Sequence, residues 1–347
     1  FTVPSDVGGA GRGLADTARL IRAIARADAS VALVLAMHVK LHAGIRWPGS
    51  SWTPALRALL QRSAVDDGGL VNTVQVEREQ GSLARGGSPA TTARVQPGGF
   101  VVTGHKVYGT GAPLLRWFVV GATTDEATPQ VGSFVVEAGS PGLAIDPTWD
   151  HIGMRASGSH DVILDEVFVP ADRVFALRPR GERAGSFDAV VRPWSAVVLA
   201  ALYTGIAEAA RDWLVGYLHE RVPTNLGAPL ASLPRFHEAV GEIEALLLAS
   251  DRLITDAAAR VDAAERDGTI EAVDAPAIDL VKYLATQHAT RAVEIGLRSI
   301  GNPGLTRANP IERLFRDVQC GPVHNPQDDL ILQGAGRAAL GRDARSA

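Results

Sequence analysis

Apolar residues recur at three- and four-residue steps through "LADTARLIRAIARADASVALVLAMHVKLHAGI", from Leu14 to Ile45. That period predicts one long helical run, with Asp16 placed to cap it or favour its first turn. "WPGSSWTP" breaks the pattern and "TPALRALLQRSA" resumes it. From about Leu70 to Pro170 the texture changes to short β-branched runs between Gly- and Pro-bearing turns. "LVNTVQVE", "GGFVVTGHKVYG", "RWFVVGAT", "VGSFVVEA" and "HDVILDEVFVP" read as strands. Their spacing predicts an antiparallel sandwich or barrel. A loop-rich linker, "VFVPADRVFALRPRGERAGS", follows. Helical periodicity then returns in "VVLAALYTGIAEAARDWLVGYLHERV", "LPRFHEAVGEIEALLLASDRLITDAAARVDAAERD" and "AIDLVKYLATQHATRAVEIGLRSIG". Helices of that length suit a bundle or an oligomer. The expected fold is α+β: an N-terminal helical domain (residues 1–68), a middle antiparallel β-domain (69–175) and a C-terminal helical bundle (176–347).

Composition narrows the setting. Of 347 residues, 46% are hydrophobic and 21% charged, which excludes large-scale disorder. A net charge of -4 argues against a nucleic-acid protein. The single cysteine, Cys320, excludes an intrachain disulfide and suits a reducing cytoplasm. The apolar stretch Ser195–Ala207 is short for a bilayer and reads as a buried helix. The chain starts at Phe1, and no signal-peptide pattern is read there. A cytoplasmic protein with a small-molecule partner, and neither nucleic acid nor membrane, is the expectation.

Several blocks then fall in a known order. "VPSDVGGAG" (Val3–Gly11), "GHKVYGTGA" (Gly104–Ala112), "WDHIGMRASGSHDVILDEVFVP" (Trp149–Pro170) and "SIGNPGLTRANPIERLFRDV" (Ser299–Val318) together resemble the acyl-CoA dehydrogenase superfamily. The resemblance implies a flavin, FMN or FAD, between the β-domain and the C-terminal helices, in a homodimer or homotetramer. A flavin ring needs hydrogen bonds at its polar edge and apolar cover on its faces. In "KVYGTGA", Tyr108 offers a flat wall and Thr110 a hydroxyl, while Gly109 and Gly111 allow close backbone approach. A strand end with a β-turn is the plainer reading of the same residues. By resemblance Ser82, in "QVEREQGS", is a further flavin contact, although Val76 and Leu83 depart from the family's pattern there. Arg221, in "HERVPTNLGAPL", takes the place of an arginine that reaches the flavin phosphate. Gly301 and Gly304 belong to a glycine-rich phosphate contact in which Asn302 replaces a usual glycine.

The segment "RDVQCGPVHNPQDDL" (Arg316–Leu330) separates two reactions. An acyl-CoA dehydrogenase removes a proton next to a thioester carbonyl, which calls for a carboxylate base. In many members that base lies nine residues past the arginine of "RD"; here that position is Asn325. An amide accepts no proton at neutral pH. Asp328 and Asp329 read as acids at the start of the last helix. His324, before Asn-Pro, resembles instead the flavin-dependent monooxygenases of the superfamily, such as dibenzothiophene monooxygenase. These take reduced flavin from a separate flavin reductase and pass oxygen to a substrate through a C4a-hydroperoxyflavin. A histidine donates or relays the proton this needs.

His38 and His42 lie four apart on the predicted helix and share a face. The related monooxygenases place a histidine and a second polar ring there, so the resemblance gives His38 a catalytic role and His42 a place in the substrate pocket. The pair also has a metal-ligand spacing, but no cysteine or carboxylate pattern completes such a site, so no metal is expected; a packing pair is the plainer reading. Asn325, and Ser157 and His160 in "RASGSHDV", are further candidates for the pocket, His160 on a β-turn. The leading expectation is a monooxygenase, with Thr110, His38 and His324 as catalytic groups. A dehydrogenase with a relocated base, or a flavin-free binding or scaffold protein, stands beside it.

Overall fold

Asp28 interrupts the first helical run. Its Oδ1 accepts from the backbone N–H of Ser30 (2.8 Å) and Val31 (3.1 Å), as an N-cap does. Helix α1 (Leu14–Ala27) ends before it and α2 (Ala29–Arg46) begins after it. The apolar spacing continues through the break, so periodicity alone reads one helix where there are two.

The computed structural model describes residues 1–79, 88–182 and 187–341. They form two compact units: Phe1–Gly13, Val34–Asp150 and Arg155–Arg192 in the first, and Leu14–Leu33, His151–Met154 and Pro193–Ala347 in the second. The texture of the sequence cuts the chain at residues 68 and 175, whereas these units divide the N-terminal helices between them. One contact explains the place of α1. The backbone N–H groups of Leu14 and Ala15 have no intrahelical acceptors, and the Asp262 carboxylate takes both (2.6 and 2.9 Å). Asp262 lies far along the chain on a helix of the second unit, so no local pattern reveals it as the cap of α1. Asp16 sits in the first turn, where a negative charge favours the helix dipole. Asp262→Ala is expected to lower stability by about 1–2 kcal/mol, read as a shifted denaturant midpoint with the far-UV spectrum otherwise retained.

In the first unit, α3 (Pro54–Asp66) starts with Thr53 as N-cap, its hydroxyl accepting from Leu56 N, and Pro54 in the first turn. One sheet follows: β1 (Leu70–Val74), β2 (Thr92–Gln96), β3 (Gly99–Gly109), β4 (Leu115–Thr124), β5 (Gln130–Glu137), β6 (Leu143–Asp146), β7 (His160–Pro170) and β8 (Val174–Pro179). Their order is β6-β7-β3-β2-β4-β5-β8, with β1 also on β4. Pairing is antiparallel except where β1 and β2 meet β4. Strands β4 and β5 read as nearly continuous apolar runs because each feeds two cores. Phe118, Val120, Ala122, Phe134 and Val136 point into a core between strands. Trp117, Val119 and Val135 point the other way, against Leu41 and Ile45 of α2 and Leu56 and Leu60 of α3. Period-two alternation thus distributes side chains between two dry faces instead of one dry and one wet face. The expected linker holds β8, whose Val174 and Phe175 are buried. Only its first residues are apolar, and the charged "RPRGER" beyond them obscures the strand.

The second unit contains the part of α4 (Phe187–Glu220) from Pro193 onward, α5 (Pro234–Arg266), α6 (Ala275–Ile300), α7 (Asn302–Leu305), α8 (Pro310–Val318) and α9 (Asp328–Ala339). Among the described residues two helices, α2 and residues 190–220 of α4, are long and apolar enough to cross a bilayer. That is more than the Ser195–Ala207 stretch suggested. Residues Ala196–Tyr203 are wholly buried in protein, which accounts for their apolar character. Gly205 lets α4 approach α1 closely: a Cβ there would stand 2.5 Å from the Arg22 carbonyl oxygen. Arg22 ties the same crossing with ion pairs to Glu208 (2.6 Å) and Asp251 (2.7 Å).

Candidate active site

The first unit brings together Tyr108, Thr110, Ser157 and His160 at the end of β3 and the start of β7. Tyr108 has a left-handed backbone (φ 60°) and is 55% exposed, with its ring edge-on to Trp149. Beneath it, the Asn72 amide donates to the Thr110 carbonyl (3.0 Å). The Ser159 hydroxyl donates to Thr110 Oγ1 (3.1 Å) and lies 2.7 Å from Ser157 Oγ. A hydroxyl has one proton. Ser159 uses its own on Thr110, so Ser157 must donate to Ser159. The relay therefore runs from Ser157 through Ser159 to Thr110, and leaves the Thr110 proton for a ligand. Ser157 is only 1% exposed and works from inside, rather than lining a pocket mouth. His160 is the first residue of β7, not part of a turn, and its Nδ1 accepts from Trp149 N (3.1 Å). Gly109 has a structural reason of its own: a Cβ would press on Val162 (2.9 Å) and the His160 carbonyl (3.0 Å). Gly111 supplies a positive φ of 76°.

A buried ion pair anchors the end of β3. Lys106, wholly buried, reaches Glu77 Oε1 at 2.5 Å. Glu77 also accepts from Thr91 Oγ1 (2.6 Å), Thr91 N (2.9 Å) and Ala90 N (2.7 Å). The pair lies two residues before Tyr108 and so fixes the strand that presents it.

His38 and His42 do share a face of α2, with ring centroids 4.5 Å apart. His38 Nδ1 accepts from Val71 N of β1 (3.2 Å), which puts the proton of the neutral ring on Nε2. Burial pushes its pKa down to about 4, so the ring is neutral at physiological pH. His42 is 0% exposed, and neither ring nitrogen has a partner among the described residues. Burial, then His38, holds it well below its ordinary pKa. Among the described residues no three metal-ligating side chains come together. Ser82 lies outside the described residues.

The second unit holds the other candidates. His324 is half-buried in the loop between α8 and α9, with Nδ1 3.1 Å from the Tyr203 hydroxyl of α4. Asn325 beside it is exposed. Asp328 opens α9, but it does more than favour a helix dipole: it accepts from buried Lys282 (3.0 Å) and from Gln287 (2.7 Å). Arg221 stands one residue past α4, exposed, with no ion pair among the described residues. Gly301 has φ 67° and open space where a Cβ would be. Gly304 is buried, and a Cβ there would meet the Leu297 carbonyl at 2.7 Å, so its smallness serves packing against α6. Sequence reading passed over Tyr203, although a lone phenol in the apolar run "SAVVLAALYTGIA" signals a buried hydroxyl in need of a partner. Asn72, Ser159 and Lys282 carried no such signal.

The first unit offers an exposed aromatic wall and an oriented hydroxyl donor. The second unit offers an imidazole and a guanidinium that has no ion pair among the described residues. Family models match two long stretches. The acyl-CoA dehydrogenase middle domain covers residues 75–167, and the acyl-CoA dehydrogenase C-terminal domain covers residues 197–328. The putative acyl-CoA dehydrogenase YdbM of Bacillus subtilis (strain 168) is 31% identical over 334 residues, spanning 96% of this chain and 84% of its own length. The chain belongs to the acyl-CoA dehydrogenase superfamily. Its fold is that of the superfamily, and its class is that of the flavin-dependent oxidoreductases. The amino sugar nitrososynthase DnmZ of Streptomyces peucetius is also 31% identical, over 94% of this chain and 79% of its own. KijD3, solved in complex with FMN and dTDP-3-amino-2,3,6-trideoxy-4-keto-3-methyl-D-glucose, superposes with a TM-score of 0.86 at 30% identity, covering 100% of this chain and 84% of that one. The superfamily thus supplies similar proteins of two kinds, one named an acyl-CoA dehydrogenase and one an amino sugar nitrososynthase.

Proposed function

We propose that the chain is a flavin-dependent monooxygenase that delivers one atom of dioxygen to a small organic substrate. Bound in its reduced form, FMN or FAD supplies the two electrons with which one oxygen atom reaches the substrate and the other leaves as water. Tyr108 would cover a face of the ring and Thr110 would donate a hydrogen bond to its polar edge. Arg221 would pair with the flavin phosphate, and Gly301 would give it backbone room. Neutral His38 would donate a hydrogen bond from Nε2, and His324 would donate one to the oxygen that is released. An acceptor edge and a flat face fit the Thr110 proton and the exposed Tyr108 ring.

The observation that carries this reading is the pair His324-Asn325. Where a thioester-oxidising enzyme seats its base, this chain has an exposed amide, next to an imidazole held by a buried phenol. Asp328, three residues further along the chain, is occupied by Lys282 and Gln287. The likeness to a nitrososynthase supports the same reading, because a nitroso nitrogen is an amine nitrogen that has gained oxygen. The similarity to YdbM favours acyl-CoA dehydrogenation as the second reading. The monooxygenase reading carries with it a separate flavin reductase, two or four copies of the chain, and a cytoplasmic location, consistent with a lone cysteine.

The two readings part under one experiment. The protein with anaerobically reduced flavin is mixed with 18O2 and a panel of amine-bearing sugars and other small organic substrates, and products are weighed by mass spectrometry. In parallel, the oxidised flavoprotein is titrated with acyl-CoA thioesters without oxygen. One 18O atom per product and no bleaching by thioesters is expected. Bleaching of the flavin by a thioester, with no labelled product, assigns the chain to the dehydrogenases.

A further inference from the structure

The loop that carries His324 is anchored on both sides within the second unit. Lys282 of α6, wholly buried, donates from Nζ to the Gly321 carbonyl (2.7 Å) and to Asp328 Oδ1 (3.0 Å). These acceptors flank His324, so one ammonium pins both ends of the loop. The backbone N–H of His324 is held by the Cys320 and Gly321 carbonyls (3.1 and 3.2 Å). With the backbone fixed, the ring remains to be set, and Tyr203 meets it. The phenol oxygen lies 3.1 Å from Nδ1, with the two rings at 74°.

Two proton arrangements fit that distance. In one, Nδ1–H donates to the phenol and the phenol's own proton is stranded. In the other, the phenol donates to Nδ1 and only an oxygen lone pair goes unused. Tyr203 is 0% exposed and its hydroxyl has no second partner among the described residues. A buried donor without an acceptor is the more costly omission. We propose that Tyr203 is a positioning residue that donates to Nδ1 of His324 and thereby fixes the neutral tautomer with its proton on Nε2. Protonating the ring would aim one donor at another, so the same contact holds the imidazole neutral. Burial foremost, then Cys320 and Asp317, keeps the phenol well above its ordinary pKa, so its proton stays available. The titratable groups around this pair are Asp317 and Cys320 beside the phenol, and Lys282 and Asp328 at the ends of the loop. What the Nε2 proton is for rests on the monooxygenase reading; where it sits does not.

Long-range 1H–15N correlation on the full chain, labelled in histidine, reads the tautomer directly. His324 is assigned by the signals lost in His324→Gln. The parent is expected to show an acceptor-type Nδ1 and a protonated Nε2. Tyr203→Phe removes one oxygen and keeps the ring. It is expected to admit the other tautomer and to raise the His324 titration midpoint by about half to one pH unit, because the neutral form loses its hydrogen bond. A protonated Nδ1 in the parent overturns the proposal even if the variant fails to fold. So does a variant with unchanged shifts and midpoint. Expected shifts together with a His324→Ala variant of full product yield leave the tautomer standing and remove the oxygenase role.

Discussion

Replacing Glu77 with glutamine is expected to lower the stability of the protein by about 3–5 kcal/mol, because it leaves the Lys106 ammonium buried and unpaired. Lys106 is 0% exposed, and Glu77 is the carboxylate it touches. Glutamine keeps one carbonyl oxygen for Thr91 but turns an NH2 towards the Ala90 N–H that Oε2 serves, so the loss combines the unpaired charge with one hydrogen bond. Adding Lys106→Met to Glu77→Gln is expected to recover most of it, since an apolar pair of similar volume is often as stable as a buried ion pair. Denaturant midpoints of the two singles and the double provide the test. A double variant no better than the worse single would place the effect in packing and not in the charge.

The pair also has a pH signature. Burial alone works to raise the Glu77 carboxyl, but the Lys106 ammonium and the donors from Thr91 and Ala90 outweigh it and hold it at about 2, against an ordinary value of 4.5. A carboxylate whose folded pKa is depressed stabilises the fold above its unfolded pKa, and that contribution disappears as pH falls through the folded one. The parent is therefore expected to lose stability between about pH 4.5 and pH 2, and Glu77→Gln to lose less over that window. The consequence for the site is positional. Tyr108 stands two residues further along the same strand and Thr110 just past its end, so a loosened Lys106 loosens both.

How much of this was readable beforehand depends on whether the cause is local. Strands β3, β4, β5 and β7 announced themselves because alternation is a local property, and α3 because Thr53 and Pro54 adjoin the run they begin. The split at Asp28 was missed although its cap is local, since apolar spacing outweighed one aspartate. The cap of α1 was out of reach: Asp262 lies 248 residues from the N–H it serves. The site divides along the same line. Tyr108 and Thr110 stand in one short motif, and His38 and His42 in another. The hydroxyl relay needs Ser157 and Ser159 folded back onto β3, and His324 needs Tyr203, 121 residues away. Sequence thus named groups that could touch a ligand and missed the buried partners that set their protons. Those partners do not repeat with any period and differ from ordinary core residues by a single hydroxyl or amine. His42 is a different case: it has a functional spacing, yet its ring is buried and neither ring nitrogen has a partner among the described residues.

His324→Ala is expected to lower the rate of oxygen transfer to substrate by about 10²–10⁴, while the flavin still binds and the fold is kept. The residue is half-buried, so removing the ring leaves a modest space, and Lys282 continues to hold both ends of its loop. On the proposed monooxygenase reading, what is lost is a hydrogen-bond donor to the reacting oxygen, and the neighbours do not replace it. Asn325 is exposed and has no acid proton, while Asp328 already accepts from Lys282 and Gln287. Electrons drawn from reduced flavin should then appear as hydrogen peroxide instead of labelled product, so the ratio of product to oxygen consumed falls along with the rate. A dehydrogenase makes the opposite demand. It needs a base and not a donor, and losing this imidazole would leave thioester oxidation largely intact. Measuring oxygen uptake, peroxide and 18O-labelled product for parent and variant therefore weighs the two chemistries on one residue. An unchanged ratio at an unchanged rate would take His324 out of the reaction, and with it the main reason for preferring oxygen over a thioester.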